Sequence, residues 1–303
     1  MVVHISKSRP SAIAVLQERA TGSQEKAVAV DTATLTQEYM WYSAEADIEE
    51  LRKYMSTWPG RRDLHCLDLY GASMNIKQAW QGSGCTAASY DIKTGGQSHD
   101  VTRREGFMVL MDMGLRLMPR GVVVAGPPCS LFVFLSKSVH QRTEARPWGQ
   151  LTNSKVRLAN QIVKNTVVFI RLMLERGVWC VLEQPANSWM FKLPVFRSLI
   201  SDFGLCRVSL WMGSYGHDLP KPTHLLGNMP TLQQMRHGIA SRTPSNGMRK
   251  PRTCKKQYHY KNAQGKVCGG RDLASSAAYP ARFCVALRMC WYRAFLCQGH
   301  ATQ

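Results

Sequence analysis

Val122-Val123-Val124-Ala125-Gly126-Pro127-Pro128-Cys129 is an apolar run that stops abruptly at a glycine, two prolines and a thiol. A run this short, with no polar residue alternating along it, reads as a strand buried on both faces, as in a parallel sheet covered by helices. Working outward, residues 64–70 and 85–90 read as two further strands separated by a helix over 74–81, and a helix over 104–117 leads into the quoted run. Downstream, a helix carries the stripe Val156, Ala159, Val163, Val167, Ile170 and Leu174, ends at Gly177, and is followed by an apolar strand over 178–182. Such repeated strand-helix alternation predicts an α/β fold with a mostly parallel sheet and helices on both faces.

The flanks complete the plan. Residues 43–56 read as a helix with Ser43 as its cap, Glu45 and Asp47 in its first turn and a Trp58-Pro59-Gly60 stop. Residues 1–42 mix small, polar and β-branched residues without a sustained period, the pattern of a flexible leader. The expected division is therefore a leader over 1–42, a core over 43–228, a basic segment over 229–272, and a final helix within 273–303 that docks back on the sheet.

Charge is the next constraint. Lys and Arg number 39 against 20 Asp and Glu, a formal charge of +19, which favours polyanionic partners and above all nucleic acid. The excess is concentrated: no Asp or Glu occurs between Leu219 and Arg271, where Arg249, Lys250, Arg252, Lys255 and Lys256 crowd together, so this stretch is a phosphate-binding candidate. The ten cysteines follow no framework spacing in a chain long enough to build a core without staples, which points to free thiols in a reducing compartment. Cys254, His259 and Cys268 match no common zinc spacing, so no metal is expected. No apolar run approaches the ~18 residues of a membrane helix, and no membrane partner is expected.

In open α/β sheets ligands bind beyond the carboxyl ends of the strands, so chemistry is sought in the residues that follow each run. After the first strand come Asp68, Tyr70 and Gly71, where a small residue allows close approach of a nucleoside to backbone. Asp91 follows the second strand, placed to accept from a ribose diol, and Asp100 is suited to an adenine amino group. Asp68 and Asp91 each read equally as a turn or helix-cap residue. Pro127 and Pro128 stiffen the backbone before Cys129, which suits a nucleophile that attacks an electron-poor ring carbon. Glu183 follows the adjacent strand and precedes Gln184-Pro185, so its carboxyl is expected in the same crevice, where a desolvated acid holds a proton.

In this order the segments Leu67-Asp68-Leu69-Tyr70-Gly71, Gly126-Pro127-Pro128-Cys129-Ser130 and Glu183-Gln184-Pro185 resemble the cofactor, nucleophile and glutamate motifs of the cytosine-C5 methyltransferases. The resemblance spans roughly residues 64–228, with a weaker echo at 276–287. It implies a Rossmann-like S-adenosylmethionine-dependent fold and a monomeric enzyme that takes S-adenosyl-L-methionine as cofactor. By the same resemblance Cys129 attacks cytosine C6, Glu183 engages N3 and the exocyclic amine, and Arg142 belongs to the loop that closes over the base. It favours DNA over RNA as substrate, a duplex then requiring that the base be flipped out. It also favours the nucleus or another DNA-containing reducing compartment.

The chain departs from the family at three places. Ala72-Ser73-Met74 stands where a second glycine is usual, Gln184 replaces an asparagine, and Lys221 and His224 stand where the family has paired arginines. Lys221 is accordingly a candidate nucleic-acid contact. Two other readings follow from the same residues. A nucleic-acid-binding module that keeps the fold without turnover fits the altered cofactor turn. An amino-group methyltransferase normally ends its Pro-Pro segment in an aromatic, the place Cys129 takes here.

Overall fold

Six strands form one sheet in the order β2-β1-β3-β4-β6-β5, with β1 Leu64–Leu69, β2 Ala87–Tyr90, β3 Leu117–Ala125, β4 Trp179–Pro185, β5 Cys206–Trp211 and β6 Pro222–Gly227. The computed structural model describes residues 41–236, 259–265, 267–269 and 277–297, all within a unit spanning residues 40–303. Residues 1–40 of the expected 1–42 leader, and residues 237–258, which carry Arg249, Lys250, Arg252, Lys255 and Lys256, lie outside the described residues. β1 to β4 pair in parallel, while β6 runs antiparallel to both β4 and β5. The protein is thus α/β with a mostly parallel, mixed sheet.

Alternation along the strands explains the layers. Leu67 and Leu69 of β1, Val123 and Ala125 of β3, and Cys180 and Leu182 of β4 face one apolar cluster. That cluster is completed by α1 (Ile48–Thr57), α4 (Arg104–Leu115), α6 (Ser154–Glu175) and α7 (Pro194–Phe203). Their neighbours Cys66, Val122, Val124 and Val181 face the other cluster, which is closed by α2 (Asn75–Gln81) and α8 (Ala281–Cys297). Because both faces are covered, the central strands carry apolar residues at nearly every position, as the continuous runs required. Short helices α3 (Ile92–Gly95) and α5 (Lys137–His140) sit in the loops after β2 and β3.

Several boundaries differ from the sequence expectation. Ser43 does not cap the first helix, which starts at Ile48, because the Ala44 amide is instead held by Asn165 Oδ1 at 3.1 Å. The third strand begins at Leu117 and not at Val122, its register shifting between the Leu64 and Cys66 pairings. Arg120 takes a left-handed conformation in that irregularity, with its carbonyl accepting from Trp291 Nε1 at 2.9 Å. The hairpin partners β5 and β6 had no expected counterpart. Met229, Leu232 and Met235, assigned to the basic segment by sequence, are buried in the second core cluster. Of the basic segment itself the structure describes a small antiparallel ribbon, β7 (His259–Lys261) with β8 (Val267–Gly269). Among the described residues no helix is long and apolar enough to cross a membrane.

Candidate active site at the carboxyl edge of the sheet

Register decides which residues meet. Tyr90, Leu69, Ala125 and Leu182 are paired across β2, β1, β3 and β4. The residues after them, Asp91, Tyr70, Gly126 and Glu183, therefore emerge as one row at the carboxyl edge, adjacent strands being ~4.8 Å apart. The chain leaves β1 towards β2 on one side, while β3 lies on the other, so the loops diverge between β1 and β3. That divergence is the switch point at which open α/β sheets form their crevice. Because β6 is antiparallel, its beginning lies at the same edge, with Pro185 opposite Thr223 and Lys221 just before it.

Cys129 stands on a turn that is fastened at both ends. Gln184 Nε2 donates to the Pro127 carbonyl at 2.7 Å, and the Phe132 amide donates to the Cys129 carbonyl at 2.8 Å. Gln184 is itself oriented by Ser188, whose hydroxyl donates to Gln184 Oε1 at 2.9 Å. The departure at position 184 thus has a local use, and the Pro127 carbonyl is taken up by the protein. Burial pushes the Cys129 thiol up, the Glu183 charge adds to this, and Lys221 opposes it.

Glu183 is only 6% exposed and its two oxygens differ sharply. Oε2 accepts from the Tyr279 hydroxyl at 3.1 Å, whereas Oε1 is buried with no donor among the described residues. An orphaned buried carboxylate oxygen is costly and demands an explanation. Burial raises the Glu183 carboxyl above its ordinary value, with Lys221, Tyr279 and His217 pulling the other way. Tyr279 also explains Gly126, since a Cβ there would come within 2.3 Å of the tyrosine hydroxyl. Lys221 Nζ lies 6.0 Å from the centre of the Tyr279 ring, and its charge opposes the rise of both Cys129 and Glu183. Tyr279 was not singled out by sequence. The Tyr-Pro step that starts the last helix is the only local signal it offers, and its carbonyl is held by Asn75 Nδ2 at 2.7 Å.

The acids form a second group next to the first. Asp68 is 2% exposed, and its Oδ2 accepts from the Lys77 amide at 3.3 Å. Burial pushes it up to about 7, and the Asp91 charge adds to the effect. Gly71 is glycine because of this carboxyl: a Cβ would fall 2.3 Å from Asp68 Cγ. Tyr70 adopts a left-handed φ of 68° and bonds Thr166 Oγ1 through its hydroxyl at 2.5 Å. Asp91 Oδ1 caps α3 by accepting from the Lys93 amide at 2.7 Å. Asp100 Oδ1 accepts from the Thr102 amide at 2.9 Å and its hydroxyl at 2.7 Å. The cap reading of Asp91 therefore holds, while the Asp100 turn is a feature only the structure shows. In each of the three carboxyls the second oxygen has no hydrogen-bond partner among the described residues.

Arg142, expected in the loop that closes over the base, is bound into that loop and offers no free donor nitrogen towards Cys129 in the hydrogen bonds it makes. It is wholly buried, donating from Nε to Leu131 O at 3.0 Å, from Nη1 to Pro147 O at 2.9 Å and from Nη2 to Asn160 Oδ1 at 2.8 Å. Its guanidinium carbon lies 4.0 Å from the centre of the Phe132 ring, and burial lowers its pKa to about 10. These contacts make it a bracket that shapes the loop after Cys129. No protein-family model matches this chain, and no curated protein is significantly similar to it.

Proposed function

We propose that the protein is an S-adenosylmethionine-dependent methyltransferase that modifies C5 of cytosine in nucleic acid, with Cys129 as nucleophile and Glu183 as the acid at N3. The observation that carries the reading is the division of labour on Glu183: one oxygen held by Tyr279, the other buried without a donor, in the row of residues from which Cys129 rises. A cytosine presents both things this oxygen lacks, an amine that donates and a ring nitrogen that takes a proton.

The chemistry follows from the environment. With Glu183 protonated, the charge that raises Cys129 is gone and Lys221 favours the thiolate. Cys129 then releases its proton to solvent and bonds C6 through Sγ, while Glu183 passes its proton to N3. S-adenosylmethionine, when bound, supplies an electrophilic methyl group to C5. Loss of the C5 proton to solvent lets Sγ depart as the thiolate, and N3 returns its proton to Glu183. Fixed donors and a stiff turn keep these groups oriented without reorganisation, the circumstance in which electrostatic catalysis is strongest.

The strand-end acids suit the cofactor. Asp68, Asp91 and Asp100 each retain one oxygen for the amino and hydroxyl donors of an amino acid, a ribose and an adenine. Asp68 and Asp91 act on each other electrostatically, which a cationic ligand beside them would relieve. The basic segment supplies phosphate contacts, and the nucleic acid is DNA in preference to RNA.

The test uses the purified protein with labelled S-adenosylmethionine and separate DNA and RNA pools, followed by nucleoside analysis. Wild type is expected to yield 5-methylcytosine, and Cys129→Ala to yield none while still binding the cofactor. Methyl transfer that persists in Cys129→Ala would dismiss the nucleophilic role. Salt-sensitive nucleic-acid binding without cofactor binding would instead identify a binding module that has lost turnover.

A further inference from the structure

The loop that follows Cys129 encloses an open cavity of about 710 Å³, whose lining includes Phe134, Lys137, Gln141, Arg142 and Arg146 and no carboxylate. We infer that this cavity is a platform for an unpaired stretch of nucleic acid beside the target base, with Phe134 stacking a flanking base and Lys137 and Arg146 holding its phosphates. The inference rests on the methyltransferase reading for the identity of the target base and extends it to the form of the strand.

Phe134 is the first observation. It is 66% exposed, the most exposed large apolar side chain among the described residues, so its ring is open to a stacking partner at the cavity it lines. Lys137 and Arg146 are the second. Neither pairs with a carboxylate among the described residues, so their charge is available to an anion.

Arg142, one of the lining residues, ties the cavity through its bond to the Leu131 carbonyl to the backbone two residues beyond Cys129. Strand β8 lies against the helical turn Phe134–Ser136. Its partner β7 adds Tyr260, 46% exposed, and the exposed Lys261. Exposed aromatics interleaved with unpaired cations are what a strand with accessible base faces requires: rings stack the bases and cations follow the backbone. A closed duplex offers Phe134 a base face only after a step is unstacked, at a cost of about a few kcal/mol, so the occupant that fits without that cost is an unpaired strand.

The experiment measures binding of a fluorescent single-stranded oligodeoxynucleotide of mixed sequence containing cytosine, and of its duplex, by anisotropy at several salt concentrations. Phe134→Ala is expected to weaken the single strand about 5- to 150-fold, with the duplex changed less than twofold and Phe134→Trp restoring affinity. Replacing Lys137 and Arg146 by Ala together is expected to reduce the single-strand salt slope by about 1.4. Unchanged single-strand affinity in Phe134→Ala, or an equal loss on the duplex, would overturn the inference. Because the residue is exposed, unaltered thermal unfolding serves as the folding control. Failure of the methyltransferase reading shows differently, as absent methyl transfer in a wild type that still binds the strand.

Discussion

Replacing Tyr279 by Phe removes a single oxygen and keeps the ring, so it isolates the hydrogen bond to Glu183 Oε2. In wild type that bond is the one donor, among the described residues, to a carboxyl that is 6% exposed and whose other oxygen is orphaned. A hydrogen bond to a charged group contributes about 1.5–3 kcal/mol, and one to a neutral group about 0.5–1.5. The loss on substitution should therefore be about 1.5–3 kcal/mol where Glu183 is ionised and nearer 1 kcal/mol where it is protonated. The difference, about 1–1.5 kcal/mol, raises the Glu183 pKa by about one unit further. The sign follows from burial. Glu183 already titrates above its ordinary value, so the folded protein keeps a proton that the unfolded chain releases, and stability falls as pH rises between the two values. Tyr279→Phe should steepen that fall. Urea unfolding of both proteins at pH 4.5 and at pH 8 measures it, as a destabilisation at least 0.5 kcal/mol larger at the higher pH. A destabilisation equal at both values would refute the argument and reduce Tyr279 to packing.

Asp68→Asn should flatten the pH dependence of stability. The Asp68 carboxyl, pushed up to about 7 by burial, loses stability as pH climbs from its unfolded value, and removing the charge should recover about 2–4 kcal/mol at pH 8 but little at pH 4 in the same unfolding assay. A carboxyl that contributed through a positive contact in the free protein would show the opposite sign. Arg142→Met strands three acceptors, on Leu131, Pro147 and Asn160, and should cost about 3–5 kcal/mol and several degrees of melting temperature, measured by calorimetry. A stable but inactive Arg142→Met would return that residue to the reaction.

The central strands were legible because burial on both faces leaves only apolar residues permissible: 122–125 and 178–182 stand out as runs in any reading of the chain. The positions of Cys129 and Glu183 followed from the same fact, since a parallel sheet exposes its chemistry directly after each strand. By contrast β5 alternates buried and exposed positions and pairs with β6 over a gap of ten residues, so its signal is half as dense and its partner is not local. Arg142 is expected in the loop that closes over the base, and its role as a bracket of that loop could not be read from the chain, because the three acceptors that hold it come from residues 131, 147 and 160.

By itself the sequence determined the layered α/β architecture, the order of its parallel strands along the chain and the thiol and acid that follow two of them. Hydrophobic period and turn chemistry are properties of neighbours, and neighbours are written side by side. Only the tertiary structure decided which oxygen of Glu183 is held and which is left open, that Tyr279 from 96 positions away holds it, and that burial raises both Cys129 and Glu183 while Lys221 opposes it at each. Those are distances across a folded edge, and an antiparallel strand returning to that edge has no counterpart in sequence spacing.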